Sequence, residues 1–394
     1  MHASTMEEEL RPHAWLFCPH LGAASEPWLW RQVVGLRDFR CSVITAEHRN
    51  KEEYPTPGIT IIEDPLLRPR ELGPLRWVHR FRNLHTGNFF GFDRHTVKRY
   101  LRLANSQPPD VFLCHFGHIS VRVAPLARRL DVPLVAHFHG MDLSSSLRNR
   151  WYRWSLHQVM GQFDAVIVVG SHQRQVIESM GFPADRTYQI PCGVPVEDFP
   201  VAPHHRLDRR TRFITVSRLV PWKGVDVSIR AFAEVRSQGV DAELRIVGDG
   251  PQRDELQQLA LREAVADRVV FCGSLPQARV QEQLQGSDIF LQHSLEYEGW
   301  VEGFGVSITE ASATGLPLVV SDCGGIVDQV RDGLTGFVVR QGDVSTMAER
   351  MYELAINPEL RRSLGTAGRH RVAKMFSARN QIKALEAVLT EVLS

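Results

Sequence analysis

Two carboxylates eight residues apart, Glu302 and Glu310 in EGFGVSITE, and two cations five residues apart, Arg218 and Lys223 in SRLVPWKG, suit chemistry on a charged ligand. Arg218 and Lys223 follow an apolar run and flank a turn containing Pro221, which puts both cations on one rim. Such a pair could clamp a diphosphate and neutralise charge on a leaving group. Glu302 precedes a helix-like pattern and could face a reacting centre. Glu310, inside that pattern, could accept hydrogen bonds from a ribose diol. Gly303 and Gly305 let the chain pass close to a bound group, and the helix that follows would aim its free N–H groups and positive end at it. A plainer account covers part of this. Ser307 and Glu310 form S-x-x-E, the spacing of a capping box, in which the glutamate only satisfies a backbone N–H. That account leaves Glu302, the flanking glycines and the Arg–Lys pair unexplained.

Further short segments repeat the theme of polar or glycine residues after an apolar run. In IVGDGP, Gly248 allows close backbone approach to a ligand, although a turn with Pro at the first helical position explains the segment equally well. SDCGG (321–325) places paired glycines in the same way. AHFHGMD contributes His139, Gly140 and Asp142, and HFGH contributes His115 and His118. This many histidines invites a zinc reading, but there is no H-E-x-x-H motif and no Cys/His set with ligand spacing. The expectation is a polar cleft without a metal.

The elements that must position these residues are legible as short apolar runs alternating with longer amphipathic stretches. The spacing predicts strands at 14–18, 41–45, 59–62, 111–115, 134–139 and 165–169, then at 213–217, 243–247, 269–272, 289–293, 318–321 and 336–339. Helical patterns lie between them, including 28–36, 225–236, 252–263 and 346–356. Alternation of this kind implies parallel sheets covered by helices on both faces, with ligands beyond the carboxyl ends of the strands. Two such series predict two doubly wound domains. The break is expected in FPVAPHHRLDRRT (199–211), giving domains 1–205 and 206–377, with the last helix (378–394) free to pack on either.

Composition narrows the class. A chain of 394 residues exceeds what one core usually supports. Its net charge of +1 excludes a dedicated nucleic-acid binder. The six cysteines are scattered, with no C-x-x-C pair, which suits a reducing compartment. An acidic N-terminus without a signal-peptide pattern and the lack of a long apolar run lead to a cytoplasmic expectation. One segment departs from neutrality. Between Arg68 and Arg102 there are nine Arg or Lys against two acids, interleaved with aromatics. It reads either as a peripheral membrane contact at the inner face or as a solvated helix face.

Together these segments resemble a family 4 glycosyltransferase. The resemblance covers most of the chain and is densest from Phe213 to Val339. Its most specific piece is E-x7-E in EGFGVSITEA followed by GLPLVVSDCGG. S-R-x4-K-G, VGDGP, IPCGVPVEDF and HGMD also occur in the family's order. The resemblance implies an α/β chain of GT-B architecture, two Rossmann-like domains facing across a cleft, the first binding the acceptor and the second a nucleotide-sugar such as a UDP- or GDP-sugar. It implies transfer of a hexose, with retained configuration and without a metal, to a hydroxyl of a saccharide, lipid-linked glycan or small molecule. Arg218 and Lys223 would hold the departing diphosphate, Glu302 the sugar and Glu310 the ribose. The backbone at Gly303, Phe304, Gly305 and Val306 would meet sugar and phosphate, with Gly248 nearby. His139 would sit near the reacting carbon, with His115, His118 and Asp142 on the acceptor side. The chain departs from the family in CPHLGAASEP, where a Gly-Gly loop is reduced to Gly22, leaving Gly22 as the phosphate contact. Glu302 is chosen over Glu298 because only Glu302 lies eight residues before Glu310 and directly before the G-F-G-V run. A sugar-nucleotide epimerase of the same architecture and a non-catalytic nucleotide-sugar-binding module remain as alternatives.

Overall fold

The computed structural model describes residues 10–23, 26–67, 90–201 and 210–394. The chain forms two compact units, Met1–Pro191 with Gln381–Ser394, and Cys192–Asn380. Each is built on one parallel sheet.

The first sheet has seven strands in the order β3-β2-β1-β4-β5-β6-β7. These are β1 (His13–Cys18), β2 (Arg40–Thr45), β3 (Thr60–Glu63), β4 (Val111–His115), β5 (Leu134–Phe138), β6 (Ala165–Val168) and β7 (Thr187–Gln189). Its central strands read as unbroken apolar runs because helices cover both faces, and β1, β4, β5 and β6 are buried along their whole length. Trp15 stacks on Phe112 of the neighbouring strand at 5.5 Å between ring centroids. The second sheet has six strands, β10-β9-β8-β11-β12-β13. They are β8 (Thr211–Val216), β9 (Ala242–Val247), β10 (Val269–Gly273), β11 (Ile289–Gln292), β12 (Leu318–Ser321) and β13 (Gly336–Val339). Phe213, Phe232, Ile246, Leu291 and Val319 lie at its core.

In both sheets the order reverses beside the first strand, between β1 and β4 and between β8 and β11. Loops leaving two such strands turn away from each other and open a crevice at the carboxyl edge. In the second unit those loops carry Arg218 and Lys223 after β8, and Glu302 after β11.

Several elements differ from the sequence expectation. β7 is only three residues long, too short for a periodic signal, and was not anticipated. β5 ends at Phe138 and β11 at Gln292, so His139 and His293 stand just past their strands. Cys192–Val201 groups with the second unit, ahead of the proline-rich break expected at 199–211. The Val194 N–H donates to the Phe376 carbonyl and Ala378 N–H to the Val194 carbonyl, each at 2.9 Å. Arg369 reaches the Phe199 carbonyl at 2.5 Å. Within the basic segment, residues 68–89 lie outside the described residues. The described part forms a helix, Arg94–Ser106, capped by Asp93, with Tyr100 in the core and Arg94, Lys98 and Arg102 exposed.

Candidate functional site

The crevice of the second unit is assembled from the ends of β8 and β11. After β8 a single helical turn, Pro221–Lys223, ends at Gly224 in a left-handed conformation (φ 56°). A Cβ at Gly224 would lie 1.9 Å from the His293 carbonyl oxygen. Glycine is therefore required for the β8 loop to pack against the end of β11, and that packing delivers Lys223 to the site.

There Lys223 forms an ion pair with Glu302, the lysine side chain 14% and the glutamate 7% exposed. A carboxylate so far from water needs its lone pairs filled. Ser294 Oγ donates to Glu302 Oε2 at 3.0 Å and Gln292 Nε2 to the same oxygen at 3.3 Å. Gln292 is held in turn by Ser307 Oγ, which donates to its Oε1 at 2.9 Å. Trp300 closes one side, with Lys223 Nζ 5.2 Å from its ring centroid. The Trp300 ring lies tilted against that of Trp222, with 5.7 Å between centroids. Glu298 lies instead in an exposed hairpin turn (φ 48°) between Tyr297 and Trp300, which are paired through their backbones.

The helix Val306–Ala313 begins at Gly305, without a side-chain cap. Gln329 clasps that glycine from both sides, accepting from its N–H at 2.9 Å and donating to its carbonyl at 2.8 Å. The capping-box account of Ser307 and Glu310 therefore fails. Ser307 lies inside the helix and serves Gln292, and Glu310 accepts from Gln277 Nε2 at 2.8 Å. Gly303 and Phe304 are buried on the approach to this helix. Gly324 and Gly325 permit close packing beneath it, since a Cβ on either would strike the Glu302 or Gly303 carbonyl. Arg218 is exposed on the same loop as Lys223. Gly248 (φ 134°) packs on the Ser217 carbonyl, 1.8 Å from where its Cβ would be. Its conformation is thus demanded by the backbone as well as by any ligand.

The first unit brings together the histidine group. His115 ends β4, and His139 follows β5 with its ring 4.2 Å from that of Trp28. The His139 and Gly140 N–H groups donate to Asp142, at 3.1 and 2.9 Å to Oδ1, and the Gly117 N–H donates to Oδ2 at 2.9 Å. Asp142 is thus a buried brace for the H-G-x-D turn. Burial raises its carboxyl above the usual range, against the lowering effect of those N–H groups. Burial also lowers His118, to about 4, keeping it neutral. Gly22 (φ 76°) would place a Cβ 2.2 Å from the Arg49 carbonyl, and its own carbonyl accepts from Asn50 Nδ2 at 2.9 Å. Nearby, His20 bonds Glu26 at 2.8 Å.

Of the charged residues expected from the sequence, the structure brings Lys223 to Glu302, and it surrounds them with neutral residues the sequence did not single out. Gln277, Gln292, Ser294, Gln329 and Trp300 carry no motif, and only the fold brings the first three to the carboxylates, Gln329 to the Gly305 backbone and Trp300 to Lys223.

Residues 201–371 match the family described as glycosyl transferases group 1, and residues 34–198 match glycosyltransferase family 4. Among known proteins, the chain is 33% identical over 259 residues to a GDP-mannose-dependent alpha-(1-6)-phosphatidylinositol monomannoside mannosyltransferase of Mycolicibacterium smegmatis, covering 63% of this chain and 68% of that protein. It is 29% identical over 336 residues to the putative colanic acid biosynthesis glycosyltransferase WcaL of Salmonella typhimurium, covering 83% and 82%. Among solved structures, Anabaena Alr3699/HepE in complex with UDP superposes with a TM-score of 0.77 at 20% identity, covering 96% of this chain and 100% of that one.

Proposed function

Because the chain belongs to the family 4 glycosyltransferases, with their α/β GT-B fold, we propose that it moves a hexose from a nucleoside diphosphate sugar to a hydroxyl of a saccharide or lipid-linked glycan. Transfer retains the anomeric configuration and requires no metal. The observation that carries this reading is the buried Lys223–Glu302 pair at the reversal between β8 and β11, braced by Ser294 and Gln292. A diphosphate lying outside these strand ends meets Lys223, Arg218 and the N-terminus of the helix Val306–Ala313. As the nucleotide leaves, negative charge grows on the diphosphate, and fixed cations lower the barrier because they stabilise that charge most. Glu302 keeps its bonds to Ser294 and Gln292 when Lys223 turns to phosphate, so its carboxylate stays aimed at the sugar. Glu310, steadied by Gln277, receives the ribose hydroxyls. His139 and its neighbours His115 and His118, on the first unit, belong to the acceptor side of the reaction.

GDP-mannose is the first donor to test, because three relatives of at least 31% identity are named as GDP-mannose-dependent mannosyltransferases acting on phosphatidylinositol monomannosides. Among the described residues no helix is long and apolar enough to cross a membrane. A lipid-linked acceptor would therefore be reached from the surface, and the exposed cations Arg94, Lys98 and Arg102 would suit anionic headgroups there. A cytoplasmic location is supported by the six cysteines, which form no disulfide.

The test is a donor panel of GDP-mannose, UDP-glucose and related sugars, read by thermal shift and by nucleoside diphosphate release in the presence of glycolipid and oligosaccharide acceptors. The expected result is stabilisation by one nucleotide family and acceptor-dependent release that survives EDTA, with an α-linked product by NMR from an α-linked donor. Absence of both binding and turnover across the panel would overturn the proposal, and donor conversion without an acceptor would point to an epimerase.

A further inference from the structure

The pairing of β4 and β5 sets His115 directly opposite His137. Side chains two apart along an extended chain return to one face, and neighbouring strands lie about 4.8 Å apart, so His139 joins the same cluster. The ring centroids are 5.3 Å apart for His115 and His137, 4.1 Å for His137 and His139, and 5.4 Å for His115 and His139. One ring nitrogen of each lies within 4.8 Å of those of the other two. A single hydrogen bond, His115 Nδ1 to His139 Nε2 at 3.2 Å, links the group.

That bond leaves His115 Nε2, His139 Nδ1 and both ring nitrogens of His137 buried without a partner among the described residues. Among the described residues nothing adjacent repairs this. The Asp142 carboxylate is taken by backbone N–H groups, and the rings of Trp28 and Phe116 that pack on His139 offer no acceptor oxygen or nitrogen. A buried polar group left unpaired is costly, so three imidazoles that share one hydrogen bond among them do not read as an ordinary satisfied core. Three convergent imidazoles are a donor set for a divalent transition-metal ion. In a tetrahedral site with metal–nitrogen bonds of about 2.0–2.1 Å, ligand nitrogens are roughly 3.3–3.4 Å apart. His115 Nδ1 and His139 Nε2, the pair that shares the hydrogen bond, already stand 3.2 Å apart, so an ion held by them and by a ring nitrogen of His137 would take the place of that bond.

We propose that His115, His137 and His139 form a binding site for a Zn2+-class ion, with three imidazole ligands and a fourth position for water. The linear sequence hides the site because its spacing is set by strand register, not by a helix or a zinc-finger loop. An ion there occupies His139, so on the role proposed above for that residue it would restrain transfer rather than supply its chemistry. The test reads the ion directly and stands whether or not transfer activity is found.

Full-length protein stripped with a chelator is titrated with Co2+ and then Zn2+. One equivalent of Co2+ should give the intense visible band of a four-coordinate ion, displaced by Zn2+. X-ray absorption of the Zn2+-loaded wild type should show imidazole nitrogens at about 2.0–2.1 Å. His137→Gln and His115→Gln should weaken binding by roughly tenfold or more, a loss typical even of outer-shell disruption. Cys272→Ser, which alters the one cysteine that is not buried, should leave binding unchanged. No saturable binding, a sulfur-to-cobalt charge-transfer band, or oxygen-only coordination would overturn the proposal. The absorption measurement uses only wild-type protein, so the outcome does not depend on the variants folding.

Discussion

Lys223 and Glu302 answer to each other before they answer to any ligand. Both are largely withdrawn from water, so removing one charge strands the other. Lys223→Ala is expected to lower transfer turnover by about 10²–10³-fold, the loss typical when one preorganised charge stabiliser is removed. The same change should lower stability by about 3–5 kcal/mol, because Glu302 stays buried without its cation. Adding Glu302→Gln removes that stranded charge, so the double variant should recover part of the stability and none of the turnover. Urea unfolding of the four-member cycle, alongside nucleotide release, separates these effects. Strictly additive stabilities would contradict a coupled pair. At this scale the sequence was legible where residues carry charge. Arg218, Lys223, Glu302 and Glu310 stand out by type and spacing, and the structure brings Lys223 to Glu302. The amides that steady the carboxylates and the Gly305 turn were not legible, because Gln277, Gln292 and Gln329 look like any surface glutamine until the chain folds. Nor was the function of Ser307, whose capping-box spacing is coincidental.

Elements decide where those side chains arrive, and two of them depend on single residues at strand ends. Gly248 holds a positive φ where β9 approaches the Ser217 carbonyl, so Gly248→Ala needs both an unfavourable dihedral and a backbone shift. The expected loss is about 1–3 kcal/mol, from backbone strain of this kind, seen as a lower melting temperature with reduced nucleotide binding. His293, beyond β11, is fully buried, and its Nε2 accepts from the Gly342 N–H at 2.8 Å. Burial pulls its pKa down to about 4 from 6.5. Between those values the unfolded chain binds a proton that the folded chain refuses, so stability falls as pH drops from about 6.5 to 4 and levels off below. The slope from this residue approaches about 1.4 kcal/mol per pH unit. His293→Asn, which retains an acceptor and does not titrate, should flatten that part of the profile of melting temperature against pH. An unchanged slope would show that His293 titrates normally. Most elements were legible from alternation, since fully buried parallel strands read as apolar runs of four to six residues. β7 was not, because Thr-Tyr-Gln at a sheet edge is neither apolar nor periodic.

At the scale of the whole molecule, the sequence pointed to two doubly wound units but not to which of them the ends of the linking segments belong. That depends on long-range contacts. Arg369 with Phe199 and Ser377 with Val194 tie the 192–201 stretch to the second unit. The last fourteen residues, Gln381–Ser394, return to the first unit. There Glu386 Oε1 accepts from the backbone N–H groups of Arg37 and Asp38 at 2.7 and 3.1 Å, capping the turn after the helix Pro27–Gly35. Tyr188 of β7 donates to Glu391 Oε1 at 2.7 Å. Leu385, Val388 and Leu389 are buried beneath these polar contacts. Burying each such side chain contributes about 1.5–3 kcal/mol, so together they approach the roughly 5–15 kcal/mol that holds a whole domain folded. Deleting Gln381–Ser394 should therefore unfold the first unit and spare the second. Hydrogen exchange with mass spectrometry resolves the two. Peptides from β1, β4 and β5 should exchange fast in the truncated chain, while those from β8, β11 and β12 keep their protection. A milder variant, Leu385→Ala, should lower the stability of the first unit alone, by about 2–5 kcal/mol. Equal loss of protection in both sheets would mean that the C-terminal helix stabilises the molecule as one cooperative block, and full protection in both would mean that the first unit does not need it.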